Sequence, residues 1–302
     1  MTARMPKIAV VGGGDNETNL ALVSHWCASG LDAELVEGGR VRARVRPGDV
    51  AIGRIDVLPT LDGVEPGLLA LLLLERAGVV VQNRAAALLA VHDKLRTARL
   101  LRGAAIPHPA TALVRALGER IPIAPPLVVK PRFGSWGRDV LRCDRESDVE
   151  RALDAVAARS WFRRHGALVQ ELVPPPCRDL RVLVAGGRVV GAVVREAAPG
   201  EWRTNVSLGG MKLHAEADAV ATALSLAAVR ATGCDLAAVD LLPVPGSGYV
   251  VIELNGAADF DDDYVPAGRS VYQEVASALG IARPADPALA DPPHPTVAAV
   301  RR

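Results

Sequence analysis

The stretch that decides the fold lies at residues 128–140 and reads Val128-Val129-Lys130-Pro131-Arg132-Phe133-Gly134-Ser135-Trp136-Gly137-Arg138-Asp139-Val140. An apolar strand ends at Lys130, and a loop with two glycines follows. Gly134 and Gly137 carry no Cβ, so backbone N–H groups can approach phosphate oxygens closely. Ser135 adds a hydroxyl donor, and Lys130 adds a positive charge. No Gly-Lys-Ser/Thr follows, so this is not a Walker loop, and alone it is equally compatible with an ordinary hairpin.

Three oxygen-bearing side chains near the C-terminal part of the chain indicate a metal site. Asp240, Glu253 and Asn255 fall near the ends of two apolar strands. Glu253 and Asn255 are two residues apart and therefore face the same side of the sheet, where Asp240 can lie opposite them. Two carboxylates and an amide oxygen suit Mg²⁺. The alternative is a polar strand end in water, and the glycine loop in the same chain favours the metal site.

Further polar residues lie between the loop and these strands. Gln170-Glu171-Leu172-Val173 reads as a strand that could join a lid to a base and offer its backbone to an adenine. Asp179 could bind a ribose hydroxyl, and Arg203 could neutralise a γ-phosphate. Arg181 and Arg195 are further cations on the same predicted strands. Each of these residues taken alone fits a surface charge or a salt bridge better than a binding role.

The composition limits the class of protein. A chain of 302 residues with 50% hydrophobic and 23% charged side chains is globular and large enough for several subdomains. Its net charge of +1 argues against a broad nucleic-acid surface. The four cysteines form no Cys-x-x-Cys pair, which disfavours zinc and redox sites. The N-terminus lacks a secretory signal, and the apolar run Leu68–Leu74 is too short to cross a membrane. We therefore expect a cytoplasmic protein with no membrane or nucleic-acid partner.

Strand and helix signals divide the chain into four parts. Residues 1–90 alternate strands with helices, which predicts a small parallel α/β domain. Residues 91–165 place two strands around the glycine loop, beside a helix that Ser147 is expected to cap, and predict a lid-like subdomain. Residues 166–281 contain two hairpins and two further helices and predict the second subdomain. Residues 282–302 are rich in Pro and Ala and predict a flexible tail.

In this order the motifs resemble the ATP-grasp superfamily. Within it, the chain is similar to the ribosomal-protein glutamate ligases and to the lysine-biosynthesis ligases that act on an amino-group carrier protein. The resemblance runs from about Asn83 to Phe260, and the combination of motifs is specific although the single motifs are not. The matching pieces are Asp93-Lys94-Leu95 with Thr97, Ile106-Pro107-His108-Pro109, the loop from Lys130 to Arg138, Arg181-Val182 to Gly187, Arg203-Thr204-Asn205, Gly209-Gly210, and Asp240 to Asn255.

The resemblance implies a fold of mixed α/β and α+β class, in which two α+β subdomains clasp ATP after an N-terminal parallel α/β domain. It also implies the role of each candidate residue. The phosphates fall to Lys94, Lys130, Gly134, Ser135, Trp136 and Gly137, the adenine to Gln170, Glu171, Leu172 and Val173, and the ribose to Asp179. Catalytic contacts fall to Arg203, Lys130 and Arg195, Mg²⁺ to Asp240, Glu253 and Asn255, and substrate contacts to Arg181, Arg195, Asn205, Gly209 and Gly210.

The implied activity is that of an ATP-dependent carboxylate–amine ligase with an amino acid as at least one substrate. A substrate carboxylate attacks the γ-phosphate, and the acyl phosphate then reacts with an amine to give an amide, ADP and phosphate. Two Mg²⁺ ions are expected, with Mn²⁺ as an alternative ion, together with a carrier or acceptor protein as a further partner and a homo-oligomeric assembly. The competing hypotheses are a kinase-like phosphotransferase and a non-catalytic nucleotide-binding regulator.

Overall fold

The computed structural model describes residues 6–174, 177–246 and 248–281. The predicted tail at residues 282–302 lies outside this range. The N-terminal unit has a four-stranded parallel sheet in the order β2-β1-β3-β4, as the alternation of strand and helix predicted. Its elements are β1 (Ile8–Gly12), α1 (Glu17–Ala28), β2 (Ala33–Val36), α2 (Val41–Arg44), β3 (Val50–Arg54), α3 (Leu68–Arg76), β4 (Val80–Gln82) and α4 (Ala85–His92).

The middle unit carries a second sheet, which is antiparallel and has the order β5-β8-β6-β7. The glycine loop joins β6 to β7, as expected. The helix that Ser147 was expected to cap has Arg145 as its N-cap, two residues earlier, and the carboxylate of Asp148 accepts the backbone N–H of Arg145 at 3.0 Å. The elements are α5 (Lys94–Gly103), β5 (Thr111–Val114), β6 (Leu127–Pro131), β7 (Leu141–Cys143), α6 (Glu146–Val156), α7 (Ser160–His165) and β8 (Ala167–Glu171).

The C-terminal unit is built on an antiparallel sheet of five strands in the order β11-β10-β9-β12-β13. Its edge strand was not predicted: Met211 to Ala215 alternates apolar and polar residues, but the segment has only five residues and lies largely exposed. The elements are β9 (Arg178–Ala185), β10 (Arg188–Glu196), a 3-10 turn (Val206–Leu208), β11 (Met211–Ala215), α8 (Ala219–Thr232), β12 (Leu236–Val244), β13 (Gly248–Asn255), a second 3-10 turn (Asp262–Tyr264) and α9 (Val271–Ala278).

The expected boundary between the two subdomains, between residues 165 and 166, is wrong. Strand β8 pairs with both β5 and β6, so residues 167–171 belong to the sheet of the middle unit. The expected boundary at residue 91 also separates helices that pack together, because Ala87, Val91 and Leu101 share one core with β9 and β12. The middle sheet is therefore a lid that the chain enters after α5 and leaves after β8.

A buried asparagine fixes the N-terminal unit to the C-terminal one. Asn83 is fully buried and accepts the backbone N–H groups of Asp235 and Leu236, both at 2.9 Å. Its amide nitrogen donates to the carbonyl oxygens of Leu236 and Gly256 at 2.6 and 3.1 Å. All four bonds lie beside β12 and the end of β13, so this junction sets the position of the strands that carry the predicted metal ligands. None of the helices within the described residues is long and apolar enough to cross a membrane.

Candidate active site

A cleft lies between the middle sheet and the C-terminal sheet, and most of the predicted site residues meet there. The lid contributes β6, the glycine loop and β8, and the base contributes β9, β10, β12, β13 and the segment before β11. The predicted residues that line this cleft are Lys94, Lys130, Gly134, Ser135, Trp136, Gly137, Gln170, Glu171, Leu172, Val173, Asp179, Arg195, Arg203, Asn205, Asp240 and Glu253.

Lys130 lies at the end of a buried strand and faces the cleft. Its ammonium group donates to the Oε1 atom of Gln170 at 2.7 Å. Burial lowers the pKa of Lys130 to about 8, because the charged form loses hydration. Within the described residues Lys130 forms no salt bridge, so its positive charge is held in place by a neutral amide and stays available to a phosphate.

The second lysine of the cleft has a charged partner. The ammonium group of Lys94, at the start of α5, lies 2.7 Å from the Oε2 atom of Glu253. Burial alone would raise the pKa of Glu253, but the charges of Lys94 and Lys130 outweigh it and keep that pKa below its ordinary value. Glu253 is therefore ionised, as a metal ligand must be.

The predicted metal ligands lie together, and two of them directly oppose each other across a strand pair. Asp240 on β12 is the register partner of Glu253 on β13. Asn255 lies two residues beyond Glu253, and its Oδ1 atom accepts the backbone N–H of Ala257 at 3.0 Å. Hard oxygen donors from two carboxylates and one amide fit Mg²⁺, which completes its shell with water and phosphate oxygens. Among the described residues, no group of three or more His, Cys, Asp and Glu side chains forms a metal site by itself.

Two arginines of the sheet surround Asp240. Arg181 binds both of its oxygens, at 2.7 and 2.8 Å, and Arg195 adds a third bond of 2.8 Å. Burial alone would raise the pKa of Asp240, but these two guanidinium groups hold it well below its usual range. Three of about four acceptor positions on the carboxylate are thus occupied. Asp240 can offer a metal one further direction only, whereas Glu253 can offer more once Lys94 moves away.

Asp179, the predicted ribose contact, is held in the same network. Arg195 binds its two oxygens at 2.8 and 2.5 Å, and the hydroxyl of Thr204 donates to it at 2.6 Å. The side chain is 7% exposed and lines the cleft. Its partners fix the carboxylate rigidly, and the ribose contact stays a prediction.

Arg203 connects the base of the cleft to the glycine loop. Its guanidinium binds the two oxygens of Glu201 at 3.0 and 2.7 Å and donates a further bond of 2.8 Å to the carbonyl of Gly137. These hydrogen bonds lower the pKa of Glu201 to about 2. The hydroxyl of Ser207 also donates to the carbonyl of Trp136 at 3.2 Å. The loop is thus fastened to the segment that precedes β11.

Gly137 is required in this loop for two reasons. Its φ of +68° lies in the left-handed region, and a Cβ there would come within 2.7 Å of the Oδ1 atom of Asn205. Gly134 has no such constraint, because a Cβ there would meet Pro131 at an ordinary 3.4 Å. The two glycines of the motif therefore act differently: Gly137 allows close contact with the base, and Gly134 leaves space in the cleft.

The predicted adenine segment is only partly free to bind a base. The backbone N–H groups of Glu171 and Leu172 already donate to the carbonyls of Ala110 and Pro126. Gln170 uses its side chain to bind Lys130. Val173 lines the cleft, and its N–H has no acceptor among the described residues. Val173 is therefore the position best suited to hydrogen-bond an adenine.

A second cavity continues from the phosphate end of the cleft towards the N-terminal unit. Ser135, Trp136, Arg195, Asn205 and Glu253 line both cavities. The other predicted residues of this cavity are Arg181 and Asn255. Its wall also carries Asp15, Glu17, Asp56, Asp259, Asp261 and Lys212.

The aspartates that follow Gly256 contact two different parts of the chain. The carboxylate of Asp259 accepts from Asn16 at 3.1 Å and from Thr18 at 3.3 Å, which joins it to the start of α1. Asp261 and Asp263 both pair with Lys212 of β11. Part of this stretch is therefore neutralised by a cation of the same chain.

Gly209 and Gly210 do not line either cavity in the described part of the chain. Gly209, with a φ of +88°, ends the 3-10 turn. A Cβ on Gly210 would lie 2.7 Å from the carbonyl oxygen of Thr204. Both glycines shape the turn that places Arg203 and Asn205, and they do so without facing the cavity.

Several residues of the site had no role assigned from the sequence, although His108 and Thr204 lie within the matching motifs. Glu201 and Thr204 orient Arg203 and Asp179, and His108 and Thr111 contact Gln170. An acidic residue two positions before a predicted phosphate-binding arginine was the one available signal for Glu201. The others become recognisable only when the strands are assembled.

Comparison with known proteins shows the family. The RimK-like ATP-grasp domain matches residues 91–271. A glutamate–LysW ligase, ArgX, of Sulfurisphaera tokodaii is 30% identical over 239 residues, which cover 76% of this chain and 83% of that protein. A tetrahydromethanopterin:alpha-L-glutamate ligase of Methanosarcina acetivorans is 27% identical over 225 residues, covering 66% of this chain and 67% of that protein.

Solved structures share the fold. A RimK-domain ATP-grasp protein of Sphaerobacter thermophilus superposes with a TM-score of 0.64 at 22% identity, covering 90% of this chain and 99% of that one. The D-cycloserine synthetase DcsG superposes with a TM-score of 0.67 at 18% identity, covering 91% and 99% of the two chains. At this level of identity the likeness shows the architecture alone.

Proposed function

This chain belongs to the RimK-like ATP-grasp family and is an ATP-dependent ligase that acts on amino acids. From this premise we propose how its own residues carry out the reaction. The observation that supports the proposal most is that the cleft and the second cavity adjoin. The two predicted phosphate-binding lysines, the glycine loop and the acidic strand ends line the cleft, and five residues line both cavities. ATP and an acceptor can therefore meet at Glu253, Arg195 and Asn205.

The proposed reaction has two steps. A carboxylate oxygen of one substrate attacks the γ-phosphorus of ATP, and the bond to the bridging oxygen breaks to release ADP. The nitrogen of an amine then attacks the carbonyl carbon of the acyl phosphate, phosphate leaves, and the nitrogen loses a proton. The amide forms without a protein nucleophile, so catalysis rests on positioning and on neutralisation of charge.

The residues of the cleft divide this work. Lys130 and Lys94 bind phosphate oxygens, and Lys94 exchanges Glu253 for phosphate when nucleotide enters. Arg203, oriented by Glu201, neutralises the transferred phosphoryl group, and its bond to Gly137 keeps the glycine loop closed against water. Arg195 fixes Asp179 and Asp240 and adds positive charge at the join of the two cavities.

Magnesium fits the acidic end of the cleft. Glu253, Asn255 and the remaining acceptor direction of Asp240 would hold it, with two ions as the proposed number. When bound, Mg²⁺ would neutralise the phosphate charge and polarise the phosphorus–oxygen bonds. In this chain Lys94 and Arg181 balance the carboxylates, so metal entry is coupled to the release of Lys94 from Glu253.

The substrates are proposed at the level of chemical class. One substrate supplies a carboxylate and the other an amine, and an amino acid is at least one of them. The relatives include a protein named as a glutamate–LysW ligase, so a carrier or acceptor protein is a second candidate acceptor, beside a small molecule. A homo-oligomeric assembly is proposed as well. A kinase-like reaction is not favoured, because the relatives compared above are named as ligases.

The test is ADP release with Mg²⁺ and ATP across pairs of carboxylates and amines, including proteins with a free terminal carboxylate or amine. We expect release that requires both substrates and that Glu253→Gln abolishes. Release that needs a carboxylate but no amine, with no amide formed, would instead support phosphoryl transfer. Tight ATP binding with no turnover on any pair would support the regulator hypothesis.

A further inference from the structure

We propose that His108 is a positioning residue that holds the side-chain amide of Gln170 in one orientation and thereby aims Lys130 at the phosphates of ATP. The proposal rests on the phosphate-binding role of Lys130 given above. His108 is not among the residues that line the ATP cleft; it lies in the connection between α5 and β5 and reaches the Gln170 amide beside Thr111, the register partner of Gln170 in the lid sheet.

The hydrogen-bonding capacity of each atom assigns the proton of His108 and the role of Gln170. The carbonyl of Val251 can only accept, so the Nδ1 atom of His108, 2.6 Å away, must carry the proton. In the neutral ring the Nε2 atom is then an acceptor. The Nε2 amide group of Gln170 lies 3.3 Å from it and 2.8 Å from the hydroxyl of Thr111. The hydroxyl of Thr111 accepts there. It lies 3.3 Å from the Nε2 atom of His108 but donates to the nearer carbonyl of Pro109, at 2.9 Å, which leaves Nε2 to the Gln170 amide.

This arrangement decides which end of Gln170 faces the lysine. Both hydrogens of the amide nitrogen are directed to His108 and Thr111, so the Oε1 atom points to Lys130, at 2.7 Å. An amide turned by half a rotation would place two donors against the ammonium group and lose both acceptors. The imidazole therefore fixes the position of a cation that it does not touch.

The ring stays neutral, as this chain of hydrogen bonds requires. Burial lowers the pKa of His108 to about 4, and the nearby charges of Lys130 and Arg102 act in the same direction. The anchor at the far end is a backbone carbonyl on β13, two residues before Glu253. The position of Lys130 is thereby tied to the strand that carries a predicted metal ligand.

A neutral partner has a consequence that a carboxylate would not have. Glu253 neutralises Lys94 until that pair separates, but Gln170 orients Lys130 and leaves its charge intact. Lys130 lines the cleft and has two further N–H donors beside the one that binds Gln170, so no bond needs to break before a phosphate binds. The ammonium group of Lys130 is therefore oriented for phosphate before the ligand binds. This orientation depends on a hydrogen-bond acceptor at the Nε2 position of residue 108.

Substitutions at residue 108 can separate this role from simple packing. His108→Gln can place an acceptor near the Nε2 position, whereas His108→Asn keeps only a donor near the Nδ1 position, towards Val251. We expect the Kd for Mg-ADP to stay within about threefold in His108→Gln and to rise about tenfold in His108→Asn and His108→Leu, since a tenfold change corresponds to one hydrogen bond to a charged group. The Kd for adenosine, which has no phosphate, should not change in any variant.

The outcomes distinguish the inference from the proposed function. Equal Kd values for Mg-ADP in His108→Gln and His108→Asn, or a parallel loss of adenosine binding, would overturn the positioning role while leaving the ligase proposal intact. Absence of Mg-ADP binding by the unaltered chain would overturn both. Nitrogen NMR on ¹⁵N-histidine-labelled protein gives a check without nucleotide: His108 should carry its proton on Nδ1, and a proton on Nε2 would contradict the proposal.

Discussion

The two phosphate-binding lysines differ in how the fold holds them. At the neutral end of the cleft, which comprises Lys130, Gln170, His108 and Thr111, every partner is uncharged. At the ionic end, which comprises Lys94, Glu253, Asp240, Arg181 and Arg195, every partner is charged. The neutral end is arranged before the ligand enters, whereas the ionic end must exchange partners when metal and phosphate bind. One cleft thus combines a fixed anchor with a set of charges that responds to the ligand.

The largest effect is expected at the centre of the ionic end. Asp240→Asn should lower kcat by on the order of 10³-fold, because a predicted metal ligand loses its charge. It should also lower the free energy of unfolding by about 3–5 kcal/mol, since the buried charge of Arg181 loses its carboxylate and Arg195 keeps only Asp179. Steady-state kinetics and urea unfolding measure the two effects. Glu274→Gln, which removes an exposed salt bridge to Arg269, is the control and should change the unfolding free energy by less than about 1 kcal/mol.

The next effect tests the loop that joins the two ends. Gly137→Ala should lower kcat/KM by about 100-fold, because the left-handed φ and the contact with Asn205 prevent the loop from fastening to Arg203. Gly134→Ala is the matched variant and should stay within about threefold, since its Cβ has ordinary space. If both variants lost activity equally, the loop would not depend on closure against the base.

A third prediction compares the two lysines directly. Without nucleotide, Lys94→Met should raise the affinity of the chain for Mg²⁺ by about tenfold, because Glu253 no longer has an internal cation to release. Lys130→Met should change it much less, since its partner Gln170 is neutral. Both substitutions should lower the affinity for Mg-ADP. Calorimetric titration with Mg²⁺ alone decides the point, and equal effects of the two substitutions would remove the distinction between the two ends.

The smallest effect is a pH dependence at the neutral end. Burial lowers the pKa of Lys130 from 10.5 to about 8, so its ammonium deprotonates as pH rises through that value. The affinity for Mg-ADP should therefore fall about fivefold between pH 7 and pH 9, whereas Lys130→Met should bind weakly with a flat profile over this range. A profile in the unaltered chain as flat as that of the variant would show that Lys130 does not bind phosphate as a cation.

The stability of the ligand-free chain should respond in the opposite direction. Between pH 8 and 10.5 the unfolded chain keeps the Lys130 proton that the folded chain has lost. The unfolded state then binds more protons, so the free energy of unfolding rises with pH in that window. Relative to Lys130→Met, urea unfolding should show this rise above pH 8 and a constant difference below it.

The sequence by itself determined the family, the order of the phosphate, metal and arginine motifs, and the pairing of Asp240 with Glu253. These features depend on residue type and short spacing, because alternation along a strand fixes which side chains share a face. It misjudged Gln170, whose side chain was not considered, and the domain boundary before β8, because strand pairing between distant segments leaves no local signal.

Only the tertiary structure decided how the charges are balanced. Three hydrogen bonds join residues that are far apart in sequence: Lys130 and Gln170 are separated by 40 positions, Gln170 and His108 by 62, and His108 and Val251 by 143. Arg181 and Arg195 bind the carboxylate of Asp240 from 59 and 45 positions away in sequence. Such contacts form when sheets close on one another, and burial then sets which groups must be paired and which can stay neutral. Local pattern therefore specified which chemical groups are present, and the packing of distant strands specified which of them are free to act.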